Sequence, residues 1–162
     1  MSEKLKSYIA GFLDGDGCIM AQLVRRKDYV YGYQVRLSVV FYQKSNHRDH
    51  LEWLKTKLHY GYIRNRNDGM SEYTIVGLHE SGAILKELLP YLRLKKALAK
   101  IAIRIAKMPK KPTIEELLTY AAMVDVSAEF NYSKKRTNRT STIQAFLKEH
   151  LPVTTDSQLI SG

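Results

Sequence analysis

The chain predicts an α+β domain in which two antiparallel hairpins form one four-stranded sheet with helices packed on one face. Three observations carry this expectation. Residues 33 to 42 alternate, with Tyr33, Val35, Leu37, Val39 and Phe41 on one side and Gln34, Arg36, Ser38, Val40 and Tyr42 on the other. That period belongs to a long strand with one buried face and one mostly polar face. A second strand–turn–strand pattern surrounds Asn67-Asp68-Gly69, a hairpin signal with a mechanism in the turn residues themselves. Helical periodicity precedes, separates and follows the hairpins, giving an αββαββα core with extra C-terminal helices.

In chain order, Leu5, Ile9, Phe12 and Leu13 recur at i, i+4, i+7 and i+8 and predict a first helix over 3–14. Residues 18 to 26 alternate Ile19, Ala21, Leu23 against Met20, Gln22, Val24, Arg26, and 27 to 32 form the turn that leads into the long strand. Ser45 is the expected N-cap of a helix reaching about His59, with Leu51, Leu54 and Leu58 on its inner face. The second hairpin spans 61–66 and 71–77, and a short helix that starts at Ser81 or the residues just before it ends before Pro90. A basic helix runs from about Leu92 to Lys107 with Leu94, Leu98, Ile101 and Ile105 for the core, and Pro109 and Pro112 stop it. Thr113 and Glu116 have capping-box spacing for a helix to about Phe130. One more short helix is expected near 142–150. Residues 1–150 read as one domain, and 151–162 as a flexible tail.

Composition narrows the partner. The 162 residues carry 26 Lys and Arg against 16 Asp and Glu, a net charge of +10, which points to an anionic partner. Residues 93 to 111 hold Arg93, Lys95, Lys96, Lys100, Arg104, Lys107, Lys110 and Lys111 without an acid, and 131 to 139 add Lys134, Lys135, Arg136 and Arg139. Solvated helices mix signs to gain i,i+4 pairs, so these blocks argue for phosphate contacts. No stretch of about 18 apolar residues predicts a membrane span, and the start lacks the apolar region of a signal peptide. The single cysteine, Cys18, excludes an intramolecular disulfide and fits a reducing compartment.

Ile9-Ala-Gly-Phe-Leu-Asp-Gly-Asp-Gly17 is the densest motif. Ser7, Gly11 and Gly15 fall on one helical stripe, so a second helix can approach almost to backbone contact. Asp14 and Asp16 end that stripe, where the helix dipole already leaves partial negative charge. Two carboxylates there form either an acidic helix-end turn or the oxygen ligands of a cation such as Mg²⁺.

The nonapeptide resembles the LAGLIDADG signature, being identical at Ala10, Gly11, Asp14, Asp16 and Gly17. Similarity to the single-motif homing endonucleases extends from Tyr8 to about Leu147, through Ala21-Gln22, Gln43-Lys44, Gly61-Tyr62-Ile63-Arg64, the 90–95 segment, Val124-Asp125 and the basic tail from Ser133 to Thr140. With one copy of the motif, the resemblance implies a homodimer whose interface is Ser7, Gly11, Asp14 and Gly15. It implies Asp16 and the Gly15 carbonyl as ligands of Mg²⁺, with Mn²⁺ as a substitute and no small-molecule cofactor. Asp14 is then the residue that caps or hydrogen-bonds at the helix interface.

The same resemblance implies that Gln43 orders water and Lys95 stabilises developing charge at the scissile phosphates. His47 stands where the family has an arginine, and Arg48 follows it, so either is open as the third polar group. Parity and resemblance together give a curved, saddle-like DNA-reading face: Met20, Gln22, Val24, Arg26, Gln34, Arg36, Ser38, Val40, Tyr42, Tyr62, Arg64, Arg66, Glu72 and Thr74. Arg36, Arg64 and Arg66 suit guanine, Gln22 and Gln34 suit adenine, and Met20, Val24 and Val40 suit thymine methyls. Ser133, Lys134, Lys135, Arg136 and Arg139 are the expected phosphate clamp.

The implied activity is site-specific cleavage of a long pseudo-palindromic duplex to short 3′ overhangs, promoting mobility of a host intron in an organelle, the chloroplast rather than the mitochondrion. The alternatives on the same scaffold are an RNA-splicing maturase and a DNA-binding regulator. Intact Asp16, Lys95 and Gln43 argue against both.

Overall fold

The structure is a computed structural model and describes residues 1–131 and 135–151. Helix α1 (Glu3–Asp16) leads into β1 (Gly17–Arg25) and β2 (Tyr33–Lys44), followed by a 3₁₀ turn (Ser45–His47) and α2 (Arg48–Leu58). Then come β3 (Tyr62–Asn65), β4 (Met70–Val76), α3 (Leu78–Leu88), a second 3₁₀ turn (Leu89–Tyr91), α4 (Lys96–Ile105), α5 (Ile114–Ala128) and α6 (Thr140–His150). The strands form one antiparallel sheet in the order β1-β2-β4-β3. The expected tail residues 152–162 lie outside the described residues. Among the described residues no helix is long and apolar enough to cross a membrane.

Sheet parity follows the alternation in the sequence. Ile19, Leu23, Val35, Leu37, Val39, Phe41, Tyr73 and Ile75 are buried on the helix-covered face. Two connected regions make up the core. One packs α1 to α4 against the middle of the sheet through Ile9, Leu13, Leu54, Leu85 and Ala102. The other packs α4, α5 and α6 against the far end of the β1–β2 hairpin through Leu23, Tyr33, Val35, Ile105, Val124 and Ile143. Removing a full side chain such as Leu13 from the first region costs about 2–5 kcal/mol.

Several boundaries differ from the sequence expectation for physical reasons. Helix α1 continues through Asp16 instead of ending at Asp14, and the Gly17 N–H donates back to the Leu13 carbonyl oxygen. A Cβ on Gly17 would lie 2.8 Å from that oxygen, so the helix-to-strand corner needs glycine there. Ser45 does not cap a helix: its Oγ sits 2.8 Å from Ser71 Oγ, and the chain makes a 3₁₀ turn before α2. The basic helix begins only at Lys96, because the Asp14 carboxylate takes the preceding backbone N–H groups. Leu94, expected in the core, is consequently 81% exposed. Helix α3, by contrast, starts at Leu78, in the stretch just before Ser81 where a start was expected, and the buried Ser81 Oγ bridges the Leu37 and Ile75 carbonyls. The capping box on α5 forms as expected, with Glu116 N–H donating to Thr113 Oγ1 at 3.1 Å and Thr113 N–H to Glu116 Oε2 at 2.8 Å.

Candidate active site and nucleic-acid interface

The end of α1 opens a cleft of about 350 Å³, lined by Tyr8, Phe12, Asp16, Gln43, His47, Asp49 and His50. Four elements converge on it: the last turns of α1, the end of β2, the 3₁₀ turn and the first turn of α2. Asp16, Gln43 and His47, singled out from sequence, therefore share one cleft. Asp16 is exposed and takes part in no side-chain hydrogen bond or ion pair among the described residues. Gln43 accepts from the Lys44 N–H through Oε1 at 3.0 Å, which leaves its amide N–H groups free to donate.

His47 and Arg48 separate clearly. Arg48 Nε donates to Glu52 at 3.0 Å and its Nη1 to Asn65 Oδ1 at 2.6 Å, so its guanidinium ties α2 to β3. His47 is exposed and lines the cleft. Lys95 does not line it. Its Nζ donates to the Asp14 carbonyl oxygen at 2.7 Å, and its backbone N–H to Asp14 Oδ1 at 2.9 Å. An ammonium at the carbonyl end of a helix is favourably placed.

Asp14 bonds within its own chain at the end of α1. Its half-buried carboxylate accepts from the backbone N–H groups of Arg93, Leu94 and Lys95 of its own chain. The other stripe residues, Ser7, Gly11 and Gly15, are exposed, and a Cβ on either glycine would meet nothing within 4 Å. Sequence reasoning missed the aromatic lining of the cleft. Tyr8 Oη lies 3.0 Å from His50 Nε2 and Phe12 meets the His50 ring edge-on, while Trp53, outside the lining, stacks on His50. The spacing of Tyr8, Phe12 and Asp16 at i, i+4 and i+8 on one helix was the available signal.

The reading face is only partly accessible. Gln22, Arg26, Tyr62, Arg64 and Arg66 are exposed, and Met20, Val24, Gln34, Arg36 and Tyr42 are half-buried. Ser38, Val40, Glu72 and Thr74, expected to be open to DNA, are buried. They lie on the central strands, where cross-strand neighbours cover them from both sides: Val40 stands between Cys18 and Thr74, and Glu72 between Tyr42 and Arg64. Val40 is thus no uncovered apolar side chain. Arg64 pairs with Glu72, and Arg66 with Asp68 at 2.7 Å, whereas the Arg36 Nε is buried without a partner among the described residues. Cys18, overlooked from sequence as part of this face, shares it with Met20. Burial pushes its thiol up, against the pull of Lys95. Burial also pushes the Tyr42 phenol up, with Cys18 and Glu72 adding to it.

In the basic tail, Lys134 and Ser133 lie outside the described residues. Lys135 and Arg139 are exposed. Arg136 is not an open phosphate clamp: its Nη1 sits 2.8 Å from Asp125 Oδ1, and Thr140 N–H donates to the same carboxylate at 3.1 Å. Burial opposes ionisation of Asp125, but the bonds from Thr140 and Arg136 outweigh it and hold the carboxyl below its usual range.

A free carboxylate and helix-end carbonyls beside a sheet face that carries Arg36, Arg64 and Arg66 are the equipment of a nuclease. The profile described as LAGLIDADG endonuclease matches residues 9–111, and the chain belongs to that family. It is 39% identical over 144 residues to the DNA endonuclease I-CvuI of Chlorella vulgaris, covering 88% of this chain and 89% of that protein. It is 32% identical over 142 residues to the DNA endonuclease I-CreI of Chlamydomonas reinhardtii, covering 86% of each. A crystal structure of I-CvuI in complex with the I-CreI target superposes with a TM-score of 0.87 at 38% identity, over 91% of this chain and 94% of that one. An archaeal intron-encoded homing endonuclease, I-Vdi141I, complexed with DNA, shares the fold at a TM-score of 0.79 and 18% identity, over 91% of this chain and 98% of that one.

Proposed function

We propose that this protein is a divalent-metal-dependent homing endonuclease that acts as a homodimer. It makes a double-strand break with short 3′ overhangs at a long pseudo-palindromic DNA site and so promotes mobility of its intron. The observation that carries the reading is the free Asp16 carboxylate, which shares a cleft with Gln43 and His47 at the end of an open glycine stripe. A partner's α1 fits along Ser7, Gly11 and Gly15, which brings a second Asp16 close to the first. A saddle on a single two-fold axis reads a symmetric duplex.

The donor set suits a hard cation. Asp16 offers an exposed carboxylate, and Gly15 a carbonyl in the last helical turn, where no intrahelical donor remains. Mg²⁺, with Mn²⁺ as substitute, would supply Lewis-acid stabilisation of the phosphate and a more acidic water. Gln43 orients the attacking water through its free amide N–H groups. His47 accepts or passes a proton at the edge of the cleft. Lys95 keeps two donors beyond the one given to Asp14 and directs positive charge toward the developing oxyanion.

Among the face residues, Gln22, Gln34 and Arg36 carry base reading in the major groove, with Met20 and Val24 against thymine methyls. Arg26, Tyr62, Arg64 and Arg66 line the rim. Lys135 and Arg139 hold phosphate, as does Lys134 by its place in the sequence. The chloroplast rather than the mitochondrion is the proposed place of action; the algal sources of I-CvuI and I-CreI support an organelle without choosing between the two. The maturase alternative is not favoured, because these relatives are DNA endonucleases.

The test is cleavage selection from a library of palindromic duplexes with randomised half-sites, in Mg²⁺. Recovery of one family of cut sites, lost in Asp16→Asn while binding persists, supports the reading. No cut duplex at any metal concentration overturns it.

A further inference from the structure

The far end of the β1–β2 hairpin is held by the C-terminal helix through Arg25, which belongs neither to the cleft nor to the reading face. Arg25 lies under two aromatic rings, its guanidinium carbon 4.3 Å from the Phe146 ring centroid and 5.4 Å from that of Tyr33. The same guanidinium donates to the Gly32 and Arg26 carbonyl oxygens on the two sides of the turn. Gly32 has a φ of 75°, and a Cβ there would lie 2.6 Å from both Arg25 Nη1 and Phe146 Cε1. Glycine is therefore needed for the conformation and for the space.

Beyond this latch the turn is a closed unit. Arg26 N–H donates to the Gly32 carbonyl at 2.8 Å, and Gly32 N–H to the Tyr29 carbonyl at 2.9 Å. Arg26 also pairs with Asp28 and lies over the Tyr29 ring. A unit closed by its own bonds moves as a body, so the latch at Arg25 and Gly32 sets where its side chains point. Val30 at the tip is 88% exposed and Tyr29 41%, leaving an apolar edge beside Arg26 and Lys27.

The helix that provides Phe146 is itself fixed. Ile143 and Leu147 are buried in the second core region. Asn138 Nδ2 donates to the Leu23 carbonyl at 3.0 Å on the edge strand β1, and the Asp125–Arg136 pair holds the segment between α5 and α6. The register pairs Gly17 with Phe41 at one end of β1 and Arg25 with Tyr33 at the other. At about 3.3 Å per residue the latch stands roughly 26 Å from the Asp16 end, about eight base-pair steps along a duplex.

We infer that Arg25 and Phe146 form a latch that aims the hairpin tip, and that they act as positioning residues for recognition of the outermost base pairs of each half-site. The proposal rests on the reading of the β1–β2 hairpin as a major-groove probe. Neither residue touches a base. They set the angle at which Val24, Arg26 and the tip reach the groove, so releasing them blurs the outer positions and leaves the inner ones sharp.

The test is the same half-site cleavage selection, run with wild type, Arg25→Met, Phe146→Ala, Phe146→Tyr and Gln22→Ala. Arg25→Met keeps an unbranched apolar stem against the two rings and removes the charge and donors. The expected result for Arg25→Met and Phe146→Ala is a loss of about tenfold in discrimination at the outermost pairs, the scale of one mismatched base pair. Preferences nearer the centre stay within about twofold, and Phe146→Tyr keeps the wild-type profile. Equal relaxation at every position, as from general destabilisation, overturns the latch, and so does an unchanged outer profile. Gln22→Ala separates the two layers: if it shifts an inner preference while Arg25→Met changes nothing, the latch alone fails. If neither changes any preference, the hairpin does not read DNA, and the underlying reading fails with it. Should Phe146→Ala not fold, Arg25→Met decides the question.

Discussion

Asp14 and Lys95 hold each other twice. The Asp14 carboxylate accepts the Lys95 backbone N–H at 2.9 Å, and the Lys95 ammonium donates to the Asp14 backbone carbonyl at 2.7 Å. Arg93 and Leu94 N–H groups join the same carboxylate at 2.7 and 3.3 Å. The two acids of the motif therefore have separate tasks. Asp14 fastens the segment before α4 to the end of α1, and Asp16 faces the open cleft. Asp14→Ala is expected to lower stability by about 1.5–3 kcal/mol, the scale for hydrogen bonds to a charged group. It also unfastens the backbone of residues 93–95, although the carbonyl that holds the Lys95 ammonium remains, so Lys95 loses its fixed position and cleavage falls by about tenfold or more at unchanged DNA affinity. Urea unfolding and single-turnover cleavage measure the two effects; a variant of wild-type stability would show that the anchor is dispensable.

Asp16→Asn has the opposite profile. Its carboxylate is exposed and takes part in no side-chain hydrogen bond or ion pair among the described residues, so stability should stay within about 0.5 kcal/mol. Cleavage should disappear, and chelation of Mg²⁺ in the wild type should reproduce the loss while duplex binding is retained in a gel-shift assay.

The contrast between these acids shows what was legible beforehand. Periodicity gave the hairpins, the core face and the order of helices, because alternation and capping are local. The start of α4 was not legible: it is decided by Asp14, which is distant in sequence, and Leu94 is exposed as a result. Parity assigned Ser38, Val40, Glu72 and Thr74 to the correct side of the sheet but not their accessibility, which depends on cross-strand neighbours. Parity also puts Cys18 on the face of Met20, a position that sequence reasoning passed over. The cleft brings together Asp16, Gln43 and His47, which the resemblance singled out, yet its Tyr8–Phe12–His50 lining requires α1 and α2 to meet in space.

Among the arginines expected to read guanine, Arg36 is distinct. Arg64 and Arg66 pair with Glu72 and Asp68, while the Arg36 Nε is buried without a partner among the described residues. Arg36→Ala should relax preference at one base pair of the half-site, with a loss of about 1–3 kcal/mol on the preferred duplex. Arg66→Ala should cost less. A competition assay over all four bases at each position measures this, and a uniform loss across sequences would reassign Arg36 to phosphate.

Asp125 links acidity to the C-terminal helix. Its carboxyl titrates below the usual value in the folded protein, because bonds from Thr140 and Arg136 outweigh the effect of burial. A depressed folded value contributes stability above the unfolded value, near pH 4, and that contribution is lost as pH falls through the lower folded value. Acid should therefore release the α6 segment. Hydrogen exchange at Thr140 to Leu147, followed from pH 6 to 3, should rise in the wild type. In Asp125→Asn it should be raised already at pH 6, with little further change on acidification.

Lys135 and Arg136 are neighbours of equal charge with different work. Lys135 is exposed, whereas Arg136 Nη1 lies 2.8 Å from Asp125 with only 16% of its side chain exposed. A lysine that meets phosphate without reading a base contributes through counterion release, so its removal weakens every duplex alike. Lys135→Ala should lower affinity for target and non-target DNA by the same factor and flatten the slope of log K against log salt by about one. Thermal stability should not change. Arg136→Ala should instead destabilise the protein by about 1–3 kcal/mol, because it leaves the Asp125 carboxylate half-buried and short of a partner. Its salt slope should match the wild type wherever the protein is folded. Titrations at several salt concentrations, paired with melting curves, check both variants at once. A salt-slope change in Arg136→Ala with unaltered melting would show that the arginine leaves Asp125 for the DNA.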